Sequence, residues 1–260
     1  SALIADADLG FAPRTYPLAL PALIEAARAQ GMAALGIRRC VHFAVLWQEV
    51  EVLADAGLVA FAFTSSPPYV APAGGRRAVF GTNPMAFAWP RPGKPPMVFD
   101  QASAAMARGD LQLHAREGRP VPLGVGVDAQ GAPSTESRAI LDGGAQLPFG
   151  GHKGAAIALM VDLLAGPLID EVTSLESGTS ASAGGPQPGG ELLLALDPVA
   201  LGGASGPARA EALFSALEGE PGVRLPGTRR LTERARTQAE GIAVPHALLA
   251  EIEALAEGRK

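Results

Sequence analysis

The sequence predicts an α/β fold in which helices cover a sheet. Three observations carry this. Helix-like and strand-like stretches alternate through the first half. Residues 58–64 (LVAFAFT) interleave β-branched and aromatic side chains with alanine, as a buried strand does. Residues 154–164 are almost wholly apolar, as a helix buried on most sides would be.

The elements follow in order. Residues 18–29 (LALPALIEAARA) are helical in composition, and Gly31 can end that helix. Residues 32–43 read as one strand or two short ones. In residues 46–56, Leu46, Val50 and Leu53 are spaced by four and three, as on one helix face, and Gly57 is a stop. Proline and glycine then punctuate the chain heavily, with short strands at 85–89 and 97–100. Residues 103–117 predict a helix with Ser103 as N-cap. Residues 118–146 are turn-rich with some strand. Residues 178–190 (GTSASAGGPQPGG) form a low-complexity loop, expected to be mobile. A strand at 191–197 follows, then amphipathic helices at 208–218 and 245–256. The last carries Leu248, Leu249, Ile252 and Leu255 on one face. There is no internal repeat and no clean linker.

Composition narrows the function classes. The chain has 260 residues, 48% of them apolar, enough for a sizeable core. Its net charge of −5 disfavours a general nucleic-acid binder. A single cysteine, Cys40, excludes an internal disulfide framework and a cysteine-based zinc site. The apolar run from Ala155 is broken at Asp162 and reads as too short for a bilayer. The first residues lack the basic start of a signal peptide, so a cytoplasmic protein without a membrane partner is expected.

Several constellations could carry chemistry. Gly124-Val125-Gly126-Val127-Asp128-Ala129 has the letters of a dinucleotide fingerprint, but Pro120, Pro122 and a turn at Asp128 point to a hairpin. Phe149-Gly150-Gly151-His152-Lys153-Gly154 leads into the apolar helix. Exposed amides there, with Lys153, suit an anion; a glycine-lined helix entry for close packing is the alternative. Cys40 and His42 are two apart, on one side of a strand, and a buried cysteine beside an unrelated histidine is favoured over a thiolate nucleophile. His42, His114, His152 and His246 form no metal-ligand motif. Arg224, Arg229, Arg230, Arg234 and Arg236 surround a Leu225-Pro226-Gly227 turn, as a phosphate or carboxylate grip or as a solvated basic face. Asp110 could orient a histidine base or be an ordinary surface residue.

Taken in order, several segments resemble one family. They are Val41-His42-Phe43-Ala44-Val45-Leu46-Trp47, Phe80-Gly81-Thr82-Asn83-Pro84, Val98-Phe99-Asp100-Gln101-Ala102-Ser103, Ala107-Arg108-Gly109-Asp110, Leu147-Pro148-Phe149-Gly150-Gly151-His152-Lys153-Gly154 and Leu225-Pro226-Gly227-Thr228-Arg229-Arg230. Together they resemble the type 2 malate/L-lactate dehydrogenase family, from Ala2 to about Ala256, and are most similar to its branch of Δ1-piperideine-2-carboxylate/Δ1-pyrroline-2-carboxylate reductases. The resemblance implies a mixed α/β (α+β), non-Rossmann NAD(P)-binding fold with a large mixed sheet. It implies a core and dimerisation part at 1–42, a cofactor domain at about 43–150 and the rest of the core at 151–260. The implied activity is NAD(P)H-dependent reduction of a cyclic imino acid, with a 2-hydroxy/2-keto acid dehydrogenase or an inactive cofactor-binding homologue as alternatives. A homodimer is also implied.

Roles follow position by position. His42, Phe43, Ala44, Val45 and Leu46 resemble the loop along the cofactor. Asp100, Gln101 and Ala102 correspond to the nicotinamide side, and Arg108 and Gly109 border the cofactor. Gly151, His152 and Lys153, with Leu225, Gly227, Arg229 and Arg230, resemble further cofactor segments. Thr82 matches a substrate-contacting threonine. Asp110 matches the carboxylate of a Ser–His–Asp relay. Helix-terminal amides and paired arginines suit a pyrophosphate and a 2′-phosphate, which favours NADP(H) over NAD(H). No metal is implied. Family members carry an earlier helical region that supplies the relay's serine and histidine and an arginine for the substrate carboxylate. No segment of this sequence matches it, so Asp110 is expected to lack a partner from the residues given.

Overall fold

The structure is a computed structural model and describes residues 1–42, 45–180 and 188–258. In chain order the strands are β1 (Ala2–Asp6), β2 (Met32–Cys40), β3 (Val59–Thr64), β4 (Met85–Trp89), β5 (Met97–Gln101), β6 (Gly126–Val127), β7 (Pro133–Ser134), β8 (Ala145–Gln146) and β9 (Gly189–Leu196). The helices are α1 (Tyr16–Gln30), α2 (Trp47–Asp55), α3 (Arg108–Arg116), α4 (Ser137–Leu141), α5 (His152–Ala165), α6 (Ser174–Ser180), α7 (Pro198–Gly202), α8 (Ser205–Gly219), α9 (Thr228–Glu240) and α10 (His246–Ala256).

Six strands form one mixed sheet in the order β1-β2-β9-β3-β4-β5. Only β1 and β2 run parallel; the other pairs are antiparallel. The last long strand in sequence, β9, therefore lies at the centre. Its period-2 alternation sorts the layers. Leu193 and Ala195 join the core under α1 and α2, while Leu192 packs with Val161 and Ala165 of α5 on the opposite face. The alanine–aromatic alternation of β3 and β4 works likewise. Ala60, Ala62, Ala86 and Ala88 face the α1–α2 layer, where small side chains let the helices lie close. Across the strands, Phe61 and Phe87 pack as tilted rings at 4.8 Å and Phe87 and Phe99 likewise at 5.6 Å between ring centres. A second sheet, β7-β6-β8, carries its own small core of Leu111, Val121, Val125 and Ile140 with α3 and α4.

Most elements fall where the sequence places them, and Gly31 and Gly57 both stop helices at positive φ. Three expectations are corrected. The helix read over 103–117 is only α3, and Ser103 is no N-cap: it is buried and donates to the Asn83 carbonyl at 2.7 Å, because the β5 exit must bond back to the Thr82 loop. α5 is not buried on most sides, since Leu159, Met160 and Leu163 are exposed. The stretch 152–169 is also longer than the sequence reading allowed. Its 18 residues average a hydropathy of 1.4, which by length and composition alone would admit a membrane span. It is built as a core helix whose buried side, Ala158, Val161 and Ala165, packs on the sheet. The low-complexity loop lies largely at 181–187, outside the described residues.

Candidate active site

The first corner of the site is built from β2, α2, β5 and α9. Two residues past β2, His42 Nε2 lies 3.2 Å from Glu49 Oε1. Glu49 is on the buried stripe of α2, three residues after Leu46 and four before Leu53. Glu191 opens the inward-facing set of β9, and Tyr16 Oη contacts both carboxyls, Glu49 Oε1 and, at 2.9 Å, Glu191 Oε2. Burial, with the neighbouring glutamates, pushes the Tyr16 phenol far up, and burial raises the Glu191 carboxyl. Burial opposes an imidazolium at His42, but the Glu49 bond and the charges of Glu191, Glu49 and Asp100 outweigh it, leaving His42 above its usual value. Atoms of His42, Glu49 and Glu191 lie within 4.8 Å of one another, close enough for a metal ion, yet the Tyr16 hydroxyl already bonds both carboxyls.

Beside this cluster, Asp100 at the end of β5 accepts the Trp47 amide at 3.1 Å, tying the start of α2 to the sheet edge. Burial raises the Asp100 carboxyl against the pull of the Trp47 and Leu46 amides. Two guanidiniums pack on Trp47: Arg230 at 4.8 Å and Arg234 at 4.9 Å from its ring centre. Arg234 is fixed to Glu51 at 2.7 Å, whereas Arg230 Nε is buried without a partner among the described residues. The turn before α9 fits closely. Leu225 is buried, and a Cβ on Gly227, at φ 85°, would meet the Val98 carbonyl at 2.7 Å, so glycine is required there. Arg229 and Val45 are exposed, Leu46 is buried, and Phe43 and Ala44 lie outside the described residues. A groove of about 690 Å³ borders the corner, lined by Tyr16, Leu20, Trp47, Glu49 and Arg234 among others.

The second corner begins three residues further along the same β5 exit. Ser103 donates its amide to Thr82 O at 2.7 Å, and Phe149 donates to Ser103 O at 3.0 Å. Thr82 is also bonded to Ser66 through its amide at 2.9 Å and its hydroxyl at 3.2 Å. Next to Phe149, Gly150 and Gly151 turn at positive φ into α5, whose N-terminus has no side-chain cap. Gly151, His152 and Lys153 are exposed. Gly154 meets the Phe149 carbonyl so closely that a Cβ would lie 2.2 Å from it. Arg108 stacks on Tyr69 at 3.6 Å and reaches Gln146 Oε1 at 3.5 Å. Gln101, Gly109 and Asp110 are exposed, and Ala102 is half-buried.

The structure thus brings His42, Leu46, Asp100, Leu225, Gly227 and Arg230 into one corner and links Thr82 with Gly151–Lys153 in another, through residues 100–103. Asp110 stands in the first turn of α3, a turn before His114. That histidine is held by the Pro120 carbonyl at 2.9 Å and by Arg119, and makes no bond to Asp110. Cys40 is buried and its thiol pushed up by that burial, so it is no thiolate. The residues 124–129 form the β6 hairpin rather than a nucleotide fingerprint. Sequence reasoning missed Tyr16, Trp47, Glu49 and Glu191. A charged residue on the apolar stripe of α2 and another heading the run Leu192–Leu194 were the available signals.

This mixed sheet, antiparallel around its central β9 and with glycine turns and arginines beside β5, is a different architecture from the parallel Rossmann sheet. The chain belongs to the malate/L-lactate dehydrogenase family, whose family model matches residues 1–253. It is 54% identical over 256 residues to a Δ1-pyrroline-2-carboxylate/Δ1-piperideine-2-carboxylate reductase of Pseudomonas aeruginosa, covering 97% of this chain and 76% of that one. A Δ1-pyrroline-2-carboxylate reductase of Pseudomonas fluorescens is 50% identical over 254 residues, covering 96% and 75%. Among solved structures, the Δ1-piperideine-2-carboxylate reductase of Pseudomonas syringae superposes with a TM-score of 0.91 at 47% identity, over 98% of this chain and 77% of that one. Malate dehydrogenase of Entamoeba histolytica, 19% identical, shares the fold with a TM-score of 0.89, over 98% and 76%. The chain spans about three quarters of these relatives' lengths. Membership makes it an oxidoreductase that uses a nicotinamide cofactor.

Proposed function

We propose that the protein reduces Δ1-pyrroline-2-carboxylate or Δ1-piperideine-2-carboxylate to L-proline or L-pipecolate, with NADPH preferred over NADH. The observation that carries this reading is the 54% identity to a reductase of both imines across nearly the whole chain. The site chemistry fits the cofactor. Arg230 offers a buried, unpartnered nitrogen beside Trp47, which suits the 2′-phosphate. The uncapped start of α5, with Lys153, suits the pyrophosphate. A bound NADPH supplies the hydride for C2 of the imine. The chain's own residues then bind and orient: residues 42–46 run along the cofactor, Asp100, Gln101 and Ala102 border its nicotinamide side, Arg108 and Gly109 border it as well, and Thr82 holds the substrate. Asp110 is the carboxylate of a relay whose histidine would be the proton donor; among the described residues no histidine bonds to it.

Incubation with NADPH and each imino acid, following loss of NADPH absorbance, tests the reading. Turnover on both imines, or on one, supports it. Activity on malate or lactate alone makes the protein a 2-hydroxy acid dehydrogenase, and NADPH-induced thermal protection without turnover makes it a binding homologue. The reading includes residues 43–150 as the main cofactor segment, a homodimer to be checked by sedimentation, and a cytoplasmic location, with which one free buried cysteine agrees.

A further inference from the structure

Four side chains from distant parts of the sequence meet under the α1–α2 face of the sheet: Tyr16, His42, Glu49 and Glu191. Both glutamates are fully buried, and no lysine or arginine among the described residues bonds to either. The titratable groups around them are Tyr16 from α1, Cys40 and His42 from β2 and its exit, and Asp100 from β5, which itself faces Arg230. Tyr16 Oη is within hydrogen-bonding distance of a carboxyl oxygen on each glutamate. A phenol carries one proton and can donate to only one of them. The other contact requires a proton on the carboxyl itself, since two bare acceptors at that distance repel. A carboxylate buried without a cation meets the same demand by holding a proton.

We propose that the two buried carboxyls of Glu49 and Glu191 hold one proton between them, beyond that of the Tyr16 phenol, in a relay that holds His42 through Nε2, so that Glu191 acts as a positioning residue for His42. Glu191 donates to Tyr16 Oη, Tyr16 donates to Glu49 Oε1, and Glu49 accepts from His42 Nε2–H. Every proton in the chain then points towards Glu49, and Nε2 is kept as a donor. The importance of His42 for turnover rests on the cofactor reading above; the relay itself does not.

Two measurements on the full chain test it, both independent of turnover. The infrared spectrum of the wild-type protein at neutral pH is expected to show a protonated carboxyl that is absent from Glu191→Gln. Imidazole NMR is expected to leave the His42 midpoint nearly unchanged in Glu191→Gln, because a protonated Glu191 and a glutamine are both neutral, and to place it about one pH unit lower in Glu49→Gln, where the charge that holds Nε2–H is gone. Absence of the protonated carboxyl in wild type overturns the relay, even if the variant does not fold. A His42 midpoint that falls in Glu191→Gln overturns it too, since Glu191 would then be charged, as does stoichiometric Zn²⁺ binding that abolishes the His42 titration. Loss of imine reduction with both signatures intact would reject the proposed function and leave the relay standing.

Discussion

Arg230 and Arg234 show how two like residues on one helix divide their work. Both pack on Trp47, but Arg234 is neutralised by Glu51 while Arg230 keeps a buried nitrogen free of protein partners. Arg230→Ala is therefore expected to weaken NADPH about tenfold and leave NADH nearly unchanged, since a charge-assisted bond to the 2′-phosphate is what it removes. Fluorescence titration with each cofactor checks this, and equal losses for both would place Arg230 elsewhere on the ligand. Glu191 makes a prediction about pH. Its carboxyl is raised in the fold by burial, so the stability it contributes is present below the ordinary glutamate value and is lost as pH rises through the folded value. His42, also raised, acts with the same sign. The midpoint of thermal unfolding should fall from about pH 5 to about pH 8, and Glu191→Gln should flatten that slope. The half-buried Glu211, lowered to about 2 by its Arg91 bond, acts in the opposite sense and far below this window.

At the scale of elements, two contacts decide how pieces dock. The entry to α5 depends on Gly154, where any Cβ would collide with the Phe149 carbonyl. Backbone cannot yield as a flexible side-chain tip can, so Gly154→Ala should cost about 1–3 kcal/mol and displace the amides at Gly151 and His152. Chemical denaturation together with NADPH affinity would reveal both effects. Helix α8 is held differently. The nearly buried Arg91 bonds Glu211 at 2.7 Å and Glu218 at 2.9 Å and stacks on Phe214 at 4.8 Å. Arg91→Ala should cost about 2 kcal/mol and expose α8 to early proteolysis, because hydrogen bonds to charged groups and the stacking are lost together. The sequence displays these elements unevenly. Helices α1 and α2 and strands β3, β4 and β5 were legible because period and glycine stops agree. The span before α3 was not, because Ser103 has the letters of a cap while its hydroxyl is claimed by the Asn83 carbonyl, a partner no local pattern reveals.

For the whole molecule, the decisive event is the return of the chain to place β9 between β2 and β3. The strand itself could be read from residues 191–197, but its central position could not, since pairing order depends on partners far apart in sequence. The same blindness hid Glu191: only once β9 is central does that residue sit over Tyr16 and Glu49. The glycine turns and the arginine cluster were visible as motifs, and their gathering at the β5 edge needed the topology. That topology also predicts how the protein comes apart. Leu193 is fully buried at the centre of the large sheet, whereas Leu111 is fully buried in the separate core of the small one. Truncating either to alanine should cost about 2–5 kcal/mol locally. Leu193→Ala should lower the whole unfolding transition, because both helical layers pack through β9. Leu111→Ala should split it, the β6–β8 unit loosening first while the six-stranded sheet persists. Hydrogen exchange read element by element separates these outcomes, and a single shared transition for Leu111→Ala would mean that the two cores unfold as one.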